Sequence, residues 1–146
     1  MKPILLLAPV LLAACAVPPS PDGFLVVDEG RHRVKSIASD DSMYWVRTFP
    51  DSLRGTLDFW RETLRNDLVD HRGYVVLEER DVEWGGAPAV EMLCEVTAEG
   101  RARRYLITFR IEEGLWRNTI HVAEFVAEKG VFEEHVESVR DVLREA

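Results

Sequence analysis

From residue 74 onward the chain alternates apolar and polar side chains, and glycine interrupts the alternation at a fixed interval. Gly86, Gly100 and Gly114 recur every 14 residues, each after a turn-forming partner. The stretches Tyr74–Trp84, Ala87–Ala98, Arg101–Glu112 and Leu115–Val126 therefore read as four strands. Two-residue turns at Gly85-Gly86, Glu99-Gly100 and Glu113-Gly114 join them into an antiparallel meander. Upstream, Phe24–Val27, Arg31–Ile37 and Met43–Phe49 are shorter strand signals, the last two separated by the turn-prone Ser39-Asp40-Asp41-Ser42. The period changes to helical spacing twice. Leu57, Trp60, Leu64 and Leu68 form a stripe with Asp58, Arg61, Glu62, Arg65 and Asp67 on the other side. Thr56 is placed to cap this helix, and His71-Arg72 followed by Gly73 to stop it. Phe132, Val136, Val139 and Leu143 predict a second helix over Val131–Arg144, with Glu133, Glu134, Glu137 and Asp141 solvated opposite.

The turns set a register in which facing residue numbers sum to about 171, 199 and 227 across the three hairpins. One face then collects Val75, Leu77, Val90, Met92, Cys94, Val96, Tyr105, Ile107, Phe109, Ile111, Trp116, Ile120 and Val122, which reads as the core face that helices cover. The other collects Glu78, Arg80, Glu91, Glu95, Arg104, Thr108, Arg110, Arg117, Thr119 and His121, with Arg80 opposite Glu91 and Glu95 opposite Arg104. The expected fold is α+β: a twisted antiparallel sheet, made of a four-strand meander plus N-terminal strands, flanked by two main helices.

Composition narrows the function. With 146 residues, 47% hydrophobic and 30% charged, the chain suits one globular domain plus a signal or tail. A formal charge of −8 argues against a nucleic-acid partner, which needs a basic face for phosphates. Two cysteines make neither a disulfide framework nor a four-cysteine zinc site.

The N-terminus reads as an address. Met1-Lys2 is followed by the apolar run Ile4–Leu12, too short to span a bilayer, which needs ~20 residues. Leu12-Ala13-Ala14-Cys15 resembles the bacterial lipobox. That resemblance implies cleavage before Cys15 and lipid on its sulfur and new amino end, which anchors the protein in a membrane. Removing residues 1–14, which carry one lysine and no acid, leaves 132 residues at −9. Ala16 stands where aspartate resembles an inner-membrane retention signal, so the expectation is an outer-membrane lipoprotein facing the periplasm. Pro18, Pro19 and Pro21 make residues 15–23 a semi-rigid tether, and residues 24–146 the domain. With Cys15 lipidated, Cys94 is left as a small buried residue in an apolar alternation.

A second resemblance covers Phe24–Ala146. Gly55-Thr56-Leu57-Asp58-Phe59-Trp60, the run Gly73–Val82 and Gly86-Ala87-Pro88-Ala89-Val90-Glu91, followed by the closing strand, glycine break and helix, are similar to the PsbP-like domains of small bacterial lipoproteins. The resemblance implies a twisted antiparallel sheet flanked by helices. It implies no shared catalytic residues, and a role as an assembly or accessory factor in membrane-associated complexes.

Candidate chemistry is sparse. His32, His71, His121 and His135 show no ligand spacing, so neither metal nor cofactor is expected. There is no phosphate loop, nucleophile elbow or dinucleotide fingerprint. Glu78, Glu91 and Glu95 offer carboxylates, but neighbouring arginines favour salt bridges over acid–base work. Trp45, Trp60, Trp84 and Trp116 read as mostly core, with Trp84, beside Gly85, the candidate for an exposed turn aromatic. Arg101, Arg103 and Arg104 form a small basic cluster at a hairpin. The candidate binding face is Arg80, Glu91, Arg104, Arg110, Arg117 and His121, on shared strand parity. The expectation is a non-enzymatic, lipid-anchored envelope protein that binds another protein. The rivals are a small-ligand carrier or sensor, then a hydrolase with an unrecognised site.

Overall fold

The computed structural model describes residues 19–146. The predicted signal, Cys15 and the first part of the tether lie outside them. The described chain forms β1 (Phe24–Gly30), β2 (Arg33–Ala38), β3 (Met43–Asp51), α1 (Leu57–Asn66), β4 (Val75–Trp84), β5 (Ala87–Ala98), β6 (Arg101–Glu112), β7 (Asn118–Glu128) and α2 (Phe132–Glu145). The strands make one antiparallel sheet in the order β1-β2-β3-β7-β6-β5-β4. This is the α+β architecture that the alternation and the two helical stripes predict.

Thr56 caps α1, its hydroxyl accepting the Phe59 N–H at 3.1 Å. The end of α1 departs from expectation. Instead of stopping cleanly, its last turn widens over Asp67–His71, and Arg72 N–H donates to the Asp67 carbonyl five residues back. Gly73, at φ +69, then leads into β4. Leu68 sits in that widened turn, fully buried.

The two helices cover opposite faces, so the sheet has two cores rather than one. α1 packs Leu57, Trp60 and Leu64 on Val90, Met92, Cys94, Tyr105, Ile107 and Phe109. α2 packs Phe132, Val136, Val139 and Leu143 on Tyr44, Val46, Trp84, Leu106, Ala123 and Phe125. The face read as polar is therefore a covered face. Leu106, Ala123 and Phe125 share it with the arginines, and β6 is buried on both sides from Tyr105 to Phe109. Each fully buried α2 stripe residue contributes ~1.5–3 kcal/mol.

Two register details differ from the periodic reading. A bulge between Val76 and Glu78 adds one residue to β4, so Val76 rather than Val75 joins Cys94 in the core, leaving Val75 and Leu77 exposed. The first two hairpins pair as read, with Arg80 opposite Glu91 and Glu95 opposite Arg104. The third is not a two-residue turn. Residues 113–117 form a longer loop, and β6–β7 pairing shifts four residues, placing Arg110 opposite His121. An even shift preserves the faces, so Ile120 and Val122 stay beside Ile111 and Phe109. The loop is held by buried Asn118, whose side-chain oxygen accepts the Gly114 N–H at 3.4 Å. Trp116, expected in the core, is 92% exposed on this loop, whereas Trp84 is buried against α2.

Candidate functional site

Construction of the site starts at Asp51, the last residue of β3, which is 2% exposed. Its Oδ1 accepts the Leu53 and Arg54 N–H groups at 3.0 and 3.1 Å. Its Oδ2 accepts the Gly55 N–H at 2.8 Å and the Trp60 indole N–H at 2.9 Å. One carboxylate thus folds residues 52–55 into a tight loop and ties it to α1. Gly55 is required here, because a Cβ would lie 2.6 Å from Trp60 Nε1. Arg54 is held at φ +54 and donates to the Leu115 carbonyl at 3.4 Å, bridging this loop to the 113–117 loop.

The bridged loops present Leu53, Leu115 and Trp116, which are 77%, 91% and 92% exposed. Arg54 and Arg117 flank them, also exposed. Isolated exposed apolar residues are ordinary, but three large ones on two joined loops form a patch of the kind that marks interaction sites. The patch lies at the end of the sheet where β3 finishes and β7 begins. Pro19 to Phe24 enter at the opposite end, where β3 starts; nine residues of strand separate the two ends by roughly 30 Å.

A groove of about 370 Å³, open to solvent along one side, runs from this end along the α1 face. Phe49, Pro50, Trp60, Leu64, Ile107, Phe109, Ile120 and Val122 line it. It exists because α1 packs chiefly against β5 and β6 and covers only part of its face. The groove's inner end is polar. Tyr105 donates its hydroxyl hydrogen to Glu124, and Arg47 pairs with the same carboxylate. Burial, with Glu124 alongside, pushes the Tyr105 hydroxyl far above its ordinary value, so it remains a donor. The Arg47 guanidinium lies 4.0 Å from the Trp45 ring and 5.3 Å from the Phe49 ring, and Lys35 lies 5.8 Å from Trp45. Trp45, Arg47 and Phe49 alternate on one face of β3, so the uncovered half-sheet carries a cation–aromatic ladder.

The residues singled out from strand parity fare differently. Arg80, Glu91, Arg104, Arg110 and His121 do share a face, the one α2 covers, whereas Arg117 sits in the 113–117 loop. Glu91 is 4% exposed and accepts from Arg80 Nε at 2.8 Å and Arg140 Nη2 at 2.8 Å. It works as a buried clasp between β4, β5 and α2. A second cavity of about 290 Å³ opens beside this clasp, lined by Arg80, Val82, Thr108 and Leu143 among others. Arg104 pairs with Glu95 at 3.1 Å. Arg110 lies 5.7 Å from the Trp84 ring, and His121 Nε2 is 2.7 Å from Glu112. Burial pulls the His121 imidazole below its ordinary pKa. Cys94 is fully buried, which pushes its thiol up to about 11. Among the described residues, no three His, Cys, Asp or Glu side chains converge as metal ligands would, and no helix is long and apolar enough to cross a membrane.

Sequence reasoning missed Asp51, the loop patch and the groove. The signals present were Pro50-Asp51-Ser52, a turn-prone acidic residue at a strand end, and Leu115-Trp116 directly after a glycine turn.

No family model matches the chain, and no curated protein matches it. Solved structures share its fold. LpqN of Mycobacterium tuberculosis, involved in cell envelope biogenesis, is similar at a TM-score of 0.61 and 13% identity, over 89% of this chain and 80% of its own. Cyanobacterial PsbP (CyanoP) from Synechocystis sp. PCC 6803 is similar at 0.56 and 13%, over 85% and 80%. The Ran-binding protein Mog1p of Saccharomyces cerevisiae is similar at 0.54 and 12%, over 86% and 84%. At these identities the likeness shows the fold, which is the PsbP-like sheet with its two helices.

Proposed function

We propose that this chain is a non-enzymatic, lipid-anchored accessory protein of the bacterial cell envelope that binds another envelope protein. In this reading residues 1–14 are a signal peptide, Cys15 carries the lipid, residues 15–23 are the tether and residues 24–146 the binding domain. Ala16 after the lipidated cysteine favours the outer membrane, with the domain in the periplasm. The observation that carries the reading is the exposed patch of Leu53, Leu115 and Trp116 at the end of the sheet opposite the tether. Trp and Arg dominate protein hot spots, and here Trp116 stands between exposed Leu115 and Arg117. The groove and the Trp45–Arg47–Phe49 ladder continue this surface. LpqN's role in envelope biogenesis and the Ran binding of Mog1p support a binding role for the fold.

Two variants test the reading. Cys15→Ser releases the protein from washed membranes without lowering its melting temperature, because the core lies beyond the tether. A photocrosslinker at Leu115 yields one discrete protein adduct in the native envelope, and Trp116→Ala removes it while leaving stability unchanged. An adduct that survives Trp116→Ala, or no adduct at all, refutes the patch.

The groove volume favours one second reading, a carrier of a small single-chain amphiphile, since ligand pockets span ~300–1,000 Å³. Trp60 lines the groove and reports on it. Saturable change of its fluorescence with a lysophospholipid supports the carrier; an unchanged spectrum sinks it.

A further inference from the structure

The two edges of the sheet are unlike. β4 is loaded with charge: Arg61 reaches Glu79 at 3.5 Å and also Asp81, Arg65 reaches Glu79, and a bulge at Leu77 interrupts the edge. These are the devices that keep a strand edge from pairing with another chain. β1 has no such cover at its start. Leu25, Val26 and Val27 are consecutive, large and apolar, at 76%, 48% and 55% exposed, and among the described residues no strand lies on one side of their backbone. Its own bulge and charges come only afterwards, between Val26 and Asp28 and at Asp28-Glu29.

We propose that β1 is a self-pairing edge, where a second copy of this chain adds its own β1 antiparallel over Phe24–Val26, with Leu25 facing Leu25 across a two-fold axis. This register stops short of the bulge and leaves the acidic pair outside the paired segment. Phe24 then faces Val26 of the other copy, so the two tethers start roughly 7 Å apart and leave in opposite directions along the paired strands. A single short strand per copy buries less than the ~1,200–2,000 Å² of a stable interface, so the pair is weak in free solution. Tethering both copies to one membrane raises their effective concentration and strengthens pairing. That strengthening rests on the lipid-anchor reading; the edge itself does not.

The test has two arms. In solution, the chain carrying Cys15→Ser is followed by sedimentation equilibrium up to ~1 mM, beside the same chain with Leu25→Lys. The expected result is reversible dimerisation that Leu25→Lys weakens about tenfold or more, because like charges meet at the axis. Leu25 is exposed, so its replacement leaves the melting temperature unchanged, which is checked in parallel. Equal sedimentation of the two variants, whether both monomeric or both dimeric, overturns the proposal. On the membrane, the full chain with Leu25→Cys is oxidised in its native envelope beside Ser52→Cys, exposed on a loop away from β1. A disulfide dimer at least about tenfold more abundant from Leu25→Cys is expected. Crosslinking of Leu25→Cys to a different protein, with no dimer, overturns the assignment to a second copy. Dimer in solution with no membrane enrichment refutes the anchor and leaves the edge standing.

Discussion

Replacing Asp51 with asparagine alters one functional group and tests how the exposed loop patch is held together. The carboxylate is buried and takes four N–H donors, two on each oxygen. Asparagine retains one acceptor oxygen and turns the other position into a donor. Whichever way the amide sits, two donors lose their acceptor and meet an NH₂ group instead. Hydrogen bonds to charged groups contribute ~1.5–3 kcal/mol each, and the losses do not add fully because loop N–H groups gain water. The expected destabilisation is about 3 kcal/mol, which is roughly 10 °C in Tm for a domain of this size. Trp60→Phe removes one of the four bonds and keeps the ring, so its cost is about 1–1.5 kcal/mol. Urea unfolding of both variants and their combination is the assay, with unchanged slope as the check on two-state behaviour. With the asparagine NH₂ toward Trp60 both changes break the same bond and the double variant falls short of the sum by about 1 kcal/mol; with the oxygen toward Trp60 the two costs add. Loss of the loop also disorders the Arg54 bridge to Leu115, so the Trp116-dependent crosslink falls with Asp51→Asn. An Asp51→Asn protein within about 0.5 kcal/mol of wild type refutes the reasoning, because a buried four-donor carboxylate cannot be that dispensable.

Three further outcomes follow from the described contacts. Glu91→Gln lowers stability by about 2–4 kcal/mol because it takes the charge from the buried acceptor that Arg140 of α2 shares with Arg80 of β4, whereas Arg104→Ala costs under ~1 kcal/mol because its pair with Glu95 is partly solvated and Lys129 also serves that carboxylate at 3.3 Å; thermal unfolding of the two separates them. The hydrogen bond from His135, helped by Ser42, holds the Asp40 carboxyl down at about 2, so its contribution is complete above the ordinary carboxylate range and is lost as pH falls from about 4 to 2; discounted for partial solvation it is about 1 kcal/mol, and Asp40→Asn flattens that part of the stability–pH curve. The buried Cys94 thiol, pushed up to about 11, resists iodoacetamide at pH 8 in the folded protein and reacts once urea unfolds it; equal rates in both states refute its burial.

The elements of this protein are legible in its residue pattern because strands and helices depend on neighbours two to four positions apart. The alternation through β4–β7, the stripe Phe132-Val136-Val139-Leu143 and the cap at Thr56 all lie within that range, and all appear in the structure. The charge pairs Arg80–Glu91 and Glu95–Arg104 follow from short turns, which set register locally. The layer assignment does not. Parity groups Arg104, Thr108 and Arg110 into a polar set, yet Leu106 and Phe125 lie among them and α2, arriving from the far end of the chain, covers them. The bulge at Leu77 and the five-residue loop at 113–117 each hinge on one local choice that periodicity cannot register, and each moves large apolar side chains from the core to the surface. The candidate site is the least legible part. Asp51 meets Trp60 across nine residues, and Arg54 meets Leu115 across sixty-one. The groove is the space α1 leaves uncovered. Which half of a sheet a helix covers is decided by the packing of distant apolar surfaces, and a one-dimensional pattern carries no record of that choice.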